Sequence, residues 1–106
     1  MPEKLVFQPE FRISDAARER ILALARQCRD EKQVEVVPCL SMMLKRDNAW
    51  LPENVPVVGF YEQGEVEQGD VATVDGLAFV FAVGHEGAAI FAGKTLVHDE
   101  GGFRLV

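Results

Sequence analysis

The sequence has 106 residues, 48% of them hydrophobic and 26% charged, with a formal net charge of −6. That length suits one ordinary domain with its own core, and the composition excludes a disordered chain. No apolar run reaches the roughly 20 residues of a membrane-spanning helix, and Met1–Phe7 lacks the apolar stretch of a secretory signal, so a cytoplasmic protein is expected.

The charge is unevenly spread. Residues 1–50 carry a net +1 and residues 51–106 a net −7. An acidic half repels a phosphate backbone, and the arginines of the first half are interleaved with acids, so no nucleic-acid partner and no membrane partner is expected. Two cysteines, Cys28 and Cys39, are too few for a disulfide framework, which favours a reducing compartment.

Val6-Phe7 and Phe11–Ile13 are short extended candidates on either side of Pro9. Ser14 then stands as the N-cap of a helix expected over 14–30, with Asp15 in its first turn. Ala17, Ile21, Leu24, Ala25 and Cys28 share its apolar face. After the helix the period changes to two. Val34, Val36, Leu40, Met42 and Leu44 share one side of an extended segment; Glu35, Val37, Cys39, Ser41 and Lys45 share the other. Pro38 interrupts it, which predicts a bulge or an edge position, and a bulge would swap the faces.

Residues 46–54 read as a loop and Val55–Tyr61 as a strand that Pro56 places at an edge. The polar stretch 62–70 reads as an exposed turn. Asp75-Gly76 between Val71–Val74 and Leu77–Val83 predicts a hairpin, because a type I′ turn needs two residues tolerant of positive φ. Leu77, Phe79, Phe81 and Val83 face one way and Ala78, Val80 and Ala82 the other. Both faces are apolar, so this strand is expected to be covered on both sides. Gly84–Gly87 reads as a loop, followed by a short apolar stretch, a strand at Thr95–Val97, and a last strand at Phe103–Val106.

Several residues carry candidate chemistry. Cys28, on the helix's apolar face, is read as a small core residue. Cys39 is read first as a structural thiol; a nearby Lys45 ammonium would instead favour the thiolate and make it a nucleophile or ligand. His85-Glu86 and His98-Asp99-Glu100 pair histidine with carboxylate, but neither has zinc-type spacing, and they are read as loop histidines. Trp50 is expected to cap one end of the core, the alternative being an exposed anchor for a partner. Glu62, Glu65, Glu67 and Asp70 lack EF-hand spacing and read as a solvated acidic turn. There is no P-loop, no dinucleotide fingerprint and no nucleophile elbow.

The stretch Phe11-Arg12-Ile13-Ser14-Asp15-Ala16-Ala17-Arg18-Glu19-Arg20-Ile21 resembles the opening of the A-type iron–sulfur carriers, the HesB-like domains: a strand, a Ser/Thr cap, an acid and an alanine-rich helix. Cys39-Leu40-Ser41-Met42 falls where that family has its first cluster cysteine. Residues 70–76 resemble its mid-chain strand and turn, and Gly102-Phe103-Arg104-Leu105 its Gly-Phe strand. The resemblance spans about residues 11–105. It implies a HesB-like fold, with Cys39 the one position matching a cofactor ligand. The family's pair of cysteines around a glycine, after the Gly-Phe strand, has no counterpart here, and Leu40 and Ser41 replace the glycines beside its first cysteine. The resemblance therefore implies the fold with its cluster chemistry lost.

These readings converge on a mainly β (α+β) single domain over residues 1–106: one N-terminal helix packed on a small β-sandwich or rolled sheet, HesB-like. The expected function is a non-catalytic accessory or binding module, resembling a degenerate A-type carrier, with a protein partner or self-association through an edge strand and no cofactor. The alternatives are an iron–sulfur or metal carrier using Cys39 across an oligomer, and a small cysteine-dependent enzyme.

Overall fold

Ser14 turns the chain from a short strand, Arg12–Ile13 (β1), into the main helix, Asp15–Lys32 (α1). Its side chain accepts the Ala17 N–H at 3.2 Å, satisfying one orphan donor of the first turn. The helix stops where Gln33 adopts the left-handed conformation, φ 59°, and returns its N–H to the Arg29 carbonyl at 2.7 Å. These features belong to a computed structural model that describes residues 10–67, 70–83, 85–100 and 102–106, with only the backbone of His85. The stretch expected at Val6-Phe7 lies outside them. Of the apolar face expected on α1, Ala17 and Ile21 are fully buried. Leu24, Ala25 and Cys28 are half-buried, so Cys28 sits at the margin of the core rather than inside it.

Beyond the helix the chain is mostly extended. Val36–Met43 (β2), Val55–Glu62 (β3), Val71–Val74 (β4) and Leu77–Phe81 (β5) form a four-stranded sheet in the order β3-β2-β5-β4. Thr95–Asp99 (β6) and Gly102–Leu105 (β7) join β1 in a three-stranded sheet, β1-β6-β7. β7 packs against β3, and the β4–β5 turn is tied to β1, so the two sheets roll around one core. The fold is α+β and mainly β, with one main helix packed on the sheets, as the period change after residue 33 implied. Asp75 and Gly76 take φ of 49° and 83°, as their hairpin requires.

The core gathers Leu40, Leu77 and Phe79 from the sheet, Ala17 and Ile21 from α1, and Phe11, Ile13, Phe91 and Leu96 from around it. Each of its large side chains contributes about 1.5–3 kcal/mol by leaving water. Phe11, Phe81 and Phe91 stack with ring centroids 4.8–5.4 Å apart.

Three expectations are corrected. Pro38 causes no bulge and lies at no edge: β2 pairs with β3 in unbroken register from Val36↔Glu62 to Met43↔Val55, and β2 is interior to the sheet. The Leu40 carbonyl accepts the Ala82 N–H at 2.9 Å, so alternate residues of β2, Pro38 included, turn their backbone groups toward β5. Pairing with β5 begins at Cys39, and the ring nitrogen of Pro38 has no ladder bond to lose. Of the loop expected at residues 84–87, residues 85–87 instead start a short second helix, His85–Phe91 (α2), and Gly84 lies outside the described residues. Gly87 is buried there, and a Cβ on it would stand 2.9 Å from Cβ of Val83. Finally, β5 is covered on one face only: Leu77 and Phe79 are buried while Ala78 and Ala82, beside it in the chain, are exposed.

Candidate functional site

The four-stranded sheet has two unlike faces. Leu40, Leu77 and Phe79, with Val58, Ala72 and Phe81 packed around them, turn toward α1 and the core. Strand alternation then fixes the other face. Across β2 and β3 the register sets Val37 beside Tyr61, Cys39 beside Gly59, and Ser41 beside Val57. Val80 of β5 lies on the other side of Cys39, and Thr73 and Ala78 pair beyond it. No charged residue stands on this outer face. Both helices give their buried residues, Ala17, Ile21 and Phe91, to the core side. On the outer side Tyr61, Thr73 and Ala78 are exposed, and Val57, Gly59 and Val80 are half-buried.

Cys39 lies at the centre of this face and is 7% exposed. The Tyr61 hydroxyl and the Ala82 N–H, the latter donated to the Leu40 carbonyl, lie close enough to its thiol to favour the charged form. Burial pushes the thiol above its ordinary pKa; those two donors oppose the rise without reversing it. The Tyr61 phenol is raised as well, first by Cys39, whose sulfur repels a phenolate once it is itself ionised and accepts the phenol's hydrogen bond, then by burial and by Glu65. The ammonium expected beside Cys39 is not in the strand: Lys45 starts a 3-10 turn after β2. The result is a neutral thiol at physiological pH, the opposite of an activated nucleophile.

The other candidates disperse. Cys28 is a free, half-exposed thiol on α1. His98 is half-buried on β6, its ring 4.8 Å from that of Phe103 across the β6–β7 pair. The His85 side chain lies outside the described residues. Among the described residues no three His, Cys, Asp or Glu side chains gather as a metal-ligand set, so neither the acids Glu62, Glu65, Glu67 and Asp70 nor a larger group around Cys39 or His98 forms one. An iron–sulfur cluster is ordinarily held by four thiolates. One buried, neutral thiol beside a tyrosine does not fit that group, and no step is derived through it.

Trp50 does not cap the core. It is 73% exposed in the loop between β2 and β3, while its neighbour Leu51 is buried. A shallow cavity of about 330 Å³ lies near that loop, lined by Met42, Leu44 and Ala82 among others. Arg46 and Glu86 close its rim in an ion pair of 2.7 Å.

The sequence reading missed the role of Asp75. The Arg12 guanidinium donates to both its carboxylate oxygens at 3.0 and 2.8 Å, the Ile13 N–H donates at 2.8 Å, and Arg18 donates to its carbonyl at 3.1 Å. Arg12 and the Ile13 N–H hold the carboxyl below its ordinary pKa. This clamp pins the β4–β5 turn to β1 and α1, and so fixes one side of the outer face.

No protein-family model matches the sequence, and no curated protein does. Among solved structures the chain is similar to a protein from Aquifex aeolicus, a structural-genomics target determined in solution by NMR. The two are 20% identical over 99% of this chain and 96% of that one, with a TM-score of 0.49.

Proposed function

We propose that the protein is a non-catalytic binding module that docks a protein partner on the outer face of its four-stranded sheet, a relative of the A-type carriers in plan but without their cluster chemistry. The observation that carries this reading is the face itself. It is uncharged across four strands, yet neither helix lies on it. Its half-buried valines and exposed Tyr61 have no cover from either helix, and apolar surface left uncovered marks interaction sites in folded proteins. Exposed Trp50 adds a residue type enriched among interface anchors. The neutral, buried Cys39 thiol supports packing rather than catalysis.

Two measurements test it. The environment-sensitive dye 1-anilinonaphthalene-8-sulfonate should bind the native protein saturably, and Val57→Asp or Val80→Asp should remove that binding with the circular dichroism unchanged. Dye binding that is absent, or indifferent to both variants, would count against a docking face. Anaerobic reconstitution with iron and sulfide addresses the carrier alternative. The expected product is colourless; stoichiometric iron that disappears in Cys39→Ala would replace the present reading.

A further inference from the structure

Asp75-Gly76 makes a tight turn, and the same pair of residues makes a chemically fragile link. It is the one place in the sequence where glycine follows an aspartate or asparagine. Glycine carries no Cβ, so nothing shields its backbone nitrogen from the side chain before it. Gly76 is exposed, and no atom lies within 4 Å of where a Cβ would stand. A neutral aspartic acid beside such a nitrogen can cyclise. The Gly76 nitrogen bonds to Cγ of Asp75, its proton joins the departing hydroxyl, and one water leaves, giving a succinimide ring. Water then reopens the ring. When it adds at the backbone carbonyl carbon, the bond from that carbon to the Gly76 nitrogen breaks, and the main chain runs on through Cβ and Cγ as isoaspartate. The water lost is regained, and nothing is oxidised or reduced.

The fold opposes each requirement of this reaction. Cγ has to reach the Gly76 nitrogen, yet both carboxylate oxygens are taken up by donors of β1. Arg12 Nε donates to Oδ2 at 3.0 Å, the Ile13 N–H donates to the same oxygen at 2.8 Å, and Arg12 Nη2 donates to Oδ1 at 2.8 Å. The carboxyl has to be neutral to lose a hydroxyl, yet these donors favour its charged form. The Asp75 carbonyl has to turn as the ring closes, yet Arg18 Nη1 holds it at 3.1 Å.

The guard stands at the surface. The Arg12 side chain is 76% exposed, so salt screens its pair with Asp75, and local opening of the turn releases it. The product cannot close the clamp again. Its main chain is one atom longer through a two-residue hairpin loop, whose length sets the register of the flanking strands, and its free carboxylate sits on Cα instead of Cβ.

We infer that Asp75-Gly76 is a site of spontaneous isoaspartate formation guarded by the clamp from Arg12 and Ile13, and that modification there unlocks the β4–β5 turn from β1. The test ages the full chain at mildly acidic pH, native and in guanidinium chloride. A protease that cuts before aspartate but not before isoaspartate then digests it, and electron-transfer fragmentation locates the modified residue. In the unfolded chain Asp75 should be the first aspartate to resist cleavage. In the native protein it should convert at least about tenfold more slowly, because only the opened turn reacts. Arg12→Gln, with its circular dichroism unchanged, should speed the native reaction by about fivefold. Where Arg12→Gln fails to fold, concentrated sodium chloride added to the wild type takes its place and should speed the reaction by about twofold. Native conversion as fast as that of the unfolded chain overturns the guard, as does a rate that neither folded Arg12→Gln nor, in its place, salt increases. An unfolded chain that modifies another aspartate first, or none, overturns the site itself.

Discussion

Replacing Gly59 by threonine tests whether the fold itself needs a glycine there. A glycine inside a strand gives up about 0.5–1 kcal/mol relative to alanine because it loses more backbone freedom on folding. A β-branched residue on a half-buried pleated surface adds up to about 1 kcal/mol more. No atom lies within 4 Å of the new Cβ, and the backbone there is not left-handed, so neither clash nor strain opposes the gain. Gly59→Thr should therefore stabilise the chain by about 0.5–2 kcal/mol, a rise of roughly 2–12 °C in Tm for a domain of this size. Urea unfolding followed by far-ultraviolet circular dichroism measures it; Trp50 is already 73% exposed and would report poorly. A loss of stability would mean instead that the chain itself occupies the space above Gly59.

Asp75→Asn should lower the urea midpoint at neutral pH by breaking the Arg12 clamp. Because the folded carboxyl lies below its ordinary pKa, its contribution is present above the unfolded value of about 3.9 and is lost as pH falls from there through the folded pKa. The acid slope of stability below about pH 4 should therefore flatten in the variant. Iodoacetamide near pH 7.5, read by peptide mass spectrometry, should label half-exposed Cys28 at least about tenfold faster than Cys39, whose burial and raised pKa both protect it; preferential labelling of Cys39 would revive the thiol-enzyme alternative. Gly87→Ala places a Cβ 2.9 Å from Cβ of Val83. Overpacking of about 1–3 kcal/mol outweighs a helix-propensity gain near 1 kcal/mol, for a net loss of about 0–2 kcal/mol in thermal or urea unfolding.

Local signals carried much of the fold. Ser14 and the 3.6-residue spacing of Ala17 and Ile21 marked α1, and Asp75-Gly76 marked its hairpin, because in each case a short segment satisfies its own backbone. Signals that depend on how a residue is packed failed. Gly87 read as loop punctuation, yet it is a helical residue whose missing side chain is set by Val83 four residues earlier. Pro38 read as a disruption, yet its lost donor faces a position where β5 is not paired. Trp50 and Leu51 are adjacent apolar residues, and nothing local decided that Leu51 would take the buried place. The candidate site was hidden most deeply. Alternation showed that Ala78, Val80 and Ala82 form an apolar side of β5, but a side covered by the chain's own helix and a side left for a partner have the same composition. Only the register placing Tyr61 and Gly59 around Cys39 told them apart.

Among the described residues nothing covers the outer side of the four-stranded sheet, so that side should be open to solvent in the isolated protein. A water-soluble paramagnetic agent tests it directly through the relaxation of methyl protons. The methyls of Val57, Ala78 and Val80 should relax strongly with added agent while those of Leu40, Leu77 and Leu96 stay protected. Protection of Val57, Ala78 and Val80 equal to that of Leu40 would contradict the account.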